Sequence, residues 1–118
     1  MEKKKQCLII TATITPNSNF VVQSDANERR KEYLEVLKYY TANFSEDIYF
    51  AENSAFDFEK DEGFQTLTKQ ENVFILNFPK SNAFKKGKGY QEFEVLDKVL
   101  SQLENKYEEF IKVSGRYL

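Results

Sequence analysis

The sequence predicts an α/β domain built on a mostly parallel four-stranded sheet with strand order 3-2-1-4 and helices on both faces, which makes three layers. Short apolar, β-branched runs alternate along the chain with longer segments of helical periodicity. Strands joined by helical crossovers lie parallel, and right-handed crossovers give this strand order. Because 118 residues supply one hydrophobic core, we expect one domain over residues 1–118.

The first strand and the first helix are predicted from the N-terminal third of the chain. Residues 7–15 (CLIITATIT) are apolar and β-branched, and Pro16 ends the run, so they indicate a buried strand. Asp25, followed by Glu28 three residues later, has the pattern of a helix N-cap. The helix then spans residues 28–44. Its apolar face is made of Tyr33, Leu37, Tyr40 and Phe44.

The rest of the chain predicts three more strands and at least one more helix. Strands are expected at residues 47–54, 72–79 and 109–118. The charged segment 55–70 is expected to form a short helix or irregular surface, and residues 92–107 a helix whose apolar face ends at Tyr107. This order of elements is that of one half of a Rossmann-like, doubly wound nucleotide-binding fold.

The composition excludes several kinds of chemistry. The chain has no histidine and a single cysteine, Cys7, so zinc sites made of Cys and His and catalytic Ser-His-Asp or Cys-His groups are excluded. The acidic stretch 57–62 (DFEKDE) is typical of a solvated surface, and no metal site is predicted. The net charge of −2 and the pI near 5.3 give no broad basic field, so we expect no nucleic-acid partner.

The expected location is the cytoplasm. The apolar run at residues 7–10 is too short for the core of a signal peptide, and no transmembrane segment is predicted, because no window reaches the roughly 18 apolar residues of a spanning helix. The lysines at positions 3–5 are expected to be a solubilising start of the chain.

Polar residues follow the predicted strands at the ends where open parallel sheets bind ligands. The predicted strand order reverses between strands one and four, so the ligand crevice is expected there. The candidate ligand-binding residues are Thr11, Thr13, Thr15, Arg30, Glu52, Asn53, Lys86, Gly87, Lys88, Gly89, Glu92 and Arg116. No catalytic residue is assigned.

The segment FKKGKGYQEFEVL (residues 84–96) has the chemistry to hold a diphosphate. Glycines let the backbone approach a ligand, a helix start offers unpaired N–H groups, and lysine adds a positive charge. A solvated, flexible helix start is the alternative. The spacing matches neither a P-loop nor the dinucleotide fingerprint, since Glu92 stands where the third glycine of G-x-G-x-x-G would be.

Two arginines are candidates for contact with a phosphate or a base. Arg30 belongs to the first turns of the first helix, next to the loop after strand one, and an ion pair on the helix surface is the alternative for its side chain. Arg116 follows Gly115 at the predicted switch point. For Arg116 the alternative is a frayed segment, since it lies two residues from the last position of the sequence.

Four short segments occur together in an order that resembles the N-terminal half of a bacterial family of sugar transferases for capsule and lipopolysaccharide synthesis. They are Arg30 with Tyr33 in the first helix, AENS (residues 51–54), GKGYQE (87–92) and IKVSGRY (111–117). The resemblance covers roughly residues 8–118. Position 91 is Gln where the family stretch has Gly.

The resemblance implies a glycosyltransferase-A-type fold that binds a nucleotide-diphosphate sugar. It implies that the end of strand one and the ENS loop face the nucleotide, and that the GKG helix start faces the diphosphate or the sugar. Transfer would depend on electrostatic stabilisation of the departing nucleoside diphosphate. A divalent cation could accompany the nucleotide sugar, and such an enzyme would work in the cytoplasm or at the inner face of the membrane.

The sequence also departs from this family. The 118 residues hold no second, acceptor-binding half, and Ser114-Gly115-Arg116 stands where many such enzymes carry an Asp-x-Asp metal motif. The alternative function is therefore a non-catalytic α/β protein that associates with itself, as a homodimer, or with a partner through an exposed edge strand. A receiver-like regulator is disfavoured because strand one ends in threonines rather than in an acidic cluster.

Overall fold

The computed structural model describes residues 3–12, 14, 23–53, 56–78 and 88–114. The strands are β1 (Lys4–Ala12), β2 (Asp47–Glu52), β3 (Val73–Asn77) and β4 (Tyr107–Ser114). The helices are α1 (Gln23–Asn43), α2 (Glu62–Thr68) and α3 (Lys88–Leu103), with a 3₁₀ turn at Phe58–Lys60.

The four strands form one all-parallel sheet with the order β3-β2-β1-β4. The crossovers through α1 and α2 move the chain outward in one direction, and α3 carries it back past β1 to the opposite edge. Right-handed crossovers therefore place α3 on the other face from α1 and α2. The predicted fold class and strand order are confirmed.

Several boundaries differ from the sequence-based expectation. Helix α1 begins at Gln23, so Asp25 lies inside the helix and is not its N-cap. Strand β1 begins at Lys4 because its first residues pair with the start of β4, where the Lys4 N–H donates to the Lys106 carbonyl over 2.9 Å. Tyr107 is the first residue of β4, since α3 ends at Leu103 and a turn follows.

One face of the sheet is covered by α1, the 3₁₀ turn and α2. Alternate strand residues point to this face, as the period of two in a strand requires. The buried members of this core are Leu8, Ile10, Ala12, Ile14, Tyr33, Leu34, Leu37, Ile48, Phe50, Phe58, Phe64 and Val73. Gly63 allows α2 to approach α1, because a Cβ atom there would lie 2.8 Å from Leu34 Cδ2.

The opposite face is covered by α3. Cys7, Ile9, Tyr49 and Ala51 of the sheet pack there against Val95, Val99 and Leu103, with Tyr107 completing the cluster. The helix buries one stripe at a spacing of four residues, as expected for an amphipathic helix. None of the helices in the described part of the chain is long and apolar enough to cross a membrane.

Candidate functional site

The carboxyl edge is the end of the sheet where the four parallel strands finish, at Ala12, Glu52, Asn77 and Ser114. The strand order reverses between β1 and β4, where Thr11 is the register partner of Ser114. Thr11 is buried at this junction. An open α/β sheet binds its ligand in the crevice beyond such a reversal.

Glu52 is the central side chain of the carboxyl edge, and it is fully buried. Its Oε2 atom accepts the backbone N–H of Ile14 over 2.7 Å, and Oε1 accepts that of Phe56 over 3.2 Å. Ile14 follows β1 and Phe56 follows β2. The carboxylate therefore holds the main chain after two strands, which is a use of this residue that the sequence did not indicate.

Backbone hydrogen bonds extend the sheet by a residue beyond β2 and β3. The Asn53 N–H donates to the Ala12 carbonyl over 3.1 Å, and the Phe78 N–H donates to the Glu52 carbonyl over 2.8 Å. The Asn77 side-chain amide donates to the Phe56 carbonyl over 2.8 Å. The main chain after β1, β2 and β3 is thus linked into one platform around Glu52.

Arg30 of α1 forms a two-pronged ion pair with Asp61, the N-cap of α2. Asp61 is buried and also accepts the Phe64 N–H over 3.2 Å. Burial raises the pKa of Asp61, but the hydrogen bonds from Arg30 and from the Phe64 N–H outweigh it and bring the pKa below its usual 3.8. The Arg30 guanidinium, in the third turn of α1, thus ties this helix to the start of α2.

Asp61 was missed at the level of the sequence, where the stretch 57–62 was expected to be solvated. Its neighbours Asp57 and Glu59 are exposed, as expected, but Asp61 is buried. The available signal was an Asp directly before Glu62 and Gly63, which is the pattern of a helix N-cap. Within this run of acidic residues, Asp61 therefore has a structural role as a helix cap, whereas its neighbours are solvated.

Helix α3 begins at Lys88, and Gly89 and Glu92 belong to its first turns. Because α3 follows β3, its N-terminus lies on the side of the carboxyl edge. The first N–H groups of a helix have no partner within the helix and favour anions. The remaining candidates lie outside the described residues: Thr13, Thr15, Lys86, Gly87 and Arg116.

The opposite end of the sheet, the amino edge, is closed by a network of side chains. The Tyr107 hydroxyl donates to Asp47 Oδ2 over 2.5 Å, Lys4 Nζ donates to the same oxygen over 2.9 Å, and the Tyr49 hydroxyl is 2.7 Å from that of Tyr107. The sequence did not predict this network, because its members come from three strands. It leaves the Asp47 oxygen and the Tyr107 hydroxyl occupied by protein groups.

Electrostatics at the amino edge follow from this network. Burial raises the pKa of Asp47, but hydrogen bonds from Tyr107 and Lys4 bring it below 3.8. Burial, together with the bonds to Asp47 and Tyr49, raises the pKa of the Tyr107 hydroxyl far above its usual 10. Burial also raises the pKa of the Cys7 thiol to about 11, so this cysteine is protonated at neutral pH.

The described residues contain no group of three or more Asp, Glu or Cys side chains that could hold a metal ion. Comparison of the chain with protein-family models, with curated proteins and with solved structures finds no match. The function has to be argued from the fold and the carboxyl edge.

Proposed function

We propose that this chain binds a nucleotide-diphosphate sugar at the carboxyl edge, as the donor-binding domain of a glycosyltransferase of surface polysaccharide synthesis. The observation that carries the proposal is the reversal of strand order between β1 and β4 in an all-parallel sheet. Ligands of open α/β sheets bind at such reversals. The starts of α1, α2 and α3 all lie toward this edge, because each helix follows a strand that ends there.

The proposal assigns different parts of the ligand to different parts of the edge. The diphosphate lies at the start of α3, where Lys88 supplies charge and the first turn supplies N–H groups. The nucleoside lies near Thr11 and Asn53, at the ends of β1 and β2. Both residues are largely buried, and we place them at the floor of the proposed crevice.

Two candidates act through the protein rather than on the ligand. Glu52 is occupied by the N–H groups of Ile14 and Phe56, and Arg30 is occupied by Asp61. Glu52 holds the main chain at Ile14 and Phe56, and Arg30 holds the N-cap of α2. We propose that these two are positioning residues, and that ligand contact falls to the polar groups around them.

The test is a thermal unfolding assay with a panel of uridine, guanosine, thymidine and cytidine nucleotide sugars, with and without Mg²⁺. A ligand at one hundred times its Kd stabilises the fold by about 2.7 kcal/mol, which for a domain of this size raises Tm by on the order of 10 °C. Nucleosides alone should give a smaller shift, because they lack the diphosphate. Absence of a shift with every member of the panel contradicts the proposal.

Lys88→Ala locates the diphosphate, and Lys69→Ala is its matched control. Both substitutions remove one lysine charge, but Lys69 is exposed at the end of α2, on the side of the amino edge. We expect Lys88→Ala to lose most of the ligand-induced shift and Lys69→Ala to keep it. Equal shifts in the two variants would place the diphosphate elsewhere.

A further inference from the structure

We propose that β4 is a self-association surface and that two copies of the chain pair through it, antiparallel, to make one continuous eight-stranded sheet. This inference does not rest on ligand binding. β4 is an edge strand that pairs only with β1 in the sheet described here. An edge strand of eight residues without proline is a template for pairing with another strand.

The side chains of β4 are covered less than those of the inner strands. Ile111 is 37 % exposed on the face of α1, where it is the register partner of the fully buried Leu8. Phe110 and Val113 are only partly buried at the margins of the two cores. A second sheet edge placed against β4 would cover apolar surface on both faces.

The charges of β4 are complementary to those of a second, antiparallel copy of the same strand. Glu108 and Lys112 are exposed. Phe110 and Lys112 are the register partners of Cys7 and Ile9 on the face of α3, and the alternation of a strand assigns Glu108 to that face too. A two-fold axis normal to the sheet leaves the α3 faces of both copies on the same side of the joint sheet. Each residue of β4 then lies opposite a residue whose side chain is on the same face. With the axis at Phe110, each Glu108 lies opposite Lys112 of the second copy, and the two Phe110 side chains meet at the centre.

Other registers lack this complementarity. An axis at Glu108, Glu109 or Lys112 places that charged residue opposite itself, and like charges directly opposite destabilise a strand pair. An axis at Ile111 pairs Lys112 with Phe110 and leaves no ion pair. The positions of these charges therefore favour one register of the strand pair. An edge strand without such a charge pattern specifies its register only weakly.

The other edge strand, β3, has no comparable pattern. Its five residues, Val73–Asn77, carry no charge, so no antiparallel register is favoured by ion pairs. Phe74, its most exposed apolar residue, already stacks on Tyr49 with ring centres 4.9 Å apart. We therefore propose β4, and not β3, as the self-association surface.

The experiment is a charge swap followed by sedimentation velocity over a range of protein concentrations. The unchanged chain should dimerise reversibly. Glu108→Lys and Lys112→Glu should each raise the dimer dissociation constant about tenfold or more, since each replaces two attractive pairs by two repulsive ones. The double variant carrying both substitutions should restore the original constant, because the pairs are reversed but remain complementary.

Glu109→Lys is the matched control, since it makes the same charge change on the same strand. In the proposed register Glu109 faces Ile111 of the second copy and has no charge opposite, so the dissociation constant should change little. Circular dichroism and Tm confirm folding of each variant, and all three positions are exposed. A chain that stays monomeric at every concentration, or a dimer that the double variant does not restore, overturns the proposal.

Discussion

The two ends of the sheet are built in opposite ways. At the amino edge, side chains from β1, β2 and β4 satisfy one another: Lys4 and Tyr107 both donate to Asp47. At the carboxyl edge, a buried carboxylate satisfies main-chain groups instead, since Glu52 accepts the N–H groups of Ile14 and Phe56. The first arrangement joins side chains of three strands, whereas the second holds the main chain at Ile14 and Phe56.

The ligand proposed above belongs to the carboxyl edge. A closed network of side chains keeps few polar groups for a ligand, because a buried donor or acceptor that is already paired gains little from a new partner. A fixed main chain is a rigid base for polar groups that follow the strands. Rigid supports of this kind are what binding loops require.

The largest effect is expected from Glu52→Ala at the carboxyl edge. The substitution leaves two main-chain N–H groups without their charged acceptor and opens a cavity, so it should lower the free energy of unfolding by about 4 kcal/mol. Urea denaturation measures it. Glu52→Gln keeps the volume but offers one acceptor oxygen, and its loss should be about half as large. A loss below about 1 kcal/mol in both variants would refute the positioning role.

The next effect is expected from Asp61→Ala, which removes the N-cap of α2 and the partner of Arg30. We expect a loss of about 3 kcal/mol, because both a cap and charged hydrogen bonds disappear. Asp57→Ala is the matched control, since Asp57 caps the 3₁₀ turn but is exposed, and it should cost about 0.5 kcal/mol. Similar losses in the two variants would show that burial of Asp61 adds nothing.

A smaller effect is expected from Tyr107→Phe at the amino edge. The variant loses the hydrogen bond to Asp47, which should cost about 2 kcal/mol, whereas Tyr49→Phe loses only a neutral bond to Tyr107 and should cost about 1 kcal/mol. Denaturant unfolding gives both values. Unlike Glu52→Ala, neither variant should change the affinity for a nucleotide sugar. A change in affinity would mean that the two edges are not separate.

The smallest effect is on the pH dependence of stability. Asp47 and Asp61 have folded pKa values below 3.8, so each stabilises the fold above that pH and loses this contribution as the pH falls through its folded pKa. The free energy of unfolding should therefore fall on acidification below about pH 4. Asp47→Asn and Asp61→Asn should each make the loss of stability on acidification less steep, because each variant lacks one of the two carboxyl groups. An unchanged slope in either variant contradicts the pKa assignment for that residue.

The fold could be predicted from the sequence because its signals are local. The β-branched runs and the amphipathic helices repeat at fixed spacings, and the handedness of crossovers then fixes the strand order. The boundaries were less certain, since the start of β1 at Lys4 depends on pairing with Tyr107, which is distant in sequence. Periodicity contains no information about such a pairing.

The candidate site could be predicted only as a region. The strand-end rule identified the carboxyl edge, and Thr11, Glu52 and Asn53 do lie there. Their roles depend on partners that are distant in sequence: Ile14 is 38 residues from Glu52, and Arg30 is 31 residues from Asp61. Composition therefore could not tell a residue that holds the main chain from one that contacts a ligand.

The most direct test of the account is a two-dimensional ¹H–¹⁵N NMR titration of the chain with the nucleotide sugar that stabilises it most. The account predicts that amide shifts change at the carboxyl edge, among them Ile14, Asn53, Phe56 and the first turn of α3. The chemical shifts of amides at the amino edge, such as those of Lys4, Ile48 and Lys106, should not change. Shift changes confined to the amino edge, or none with any nucleotide sugar, would contradict it.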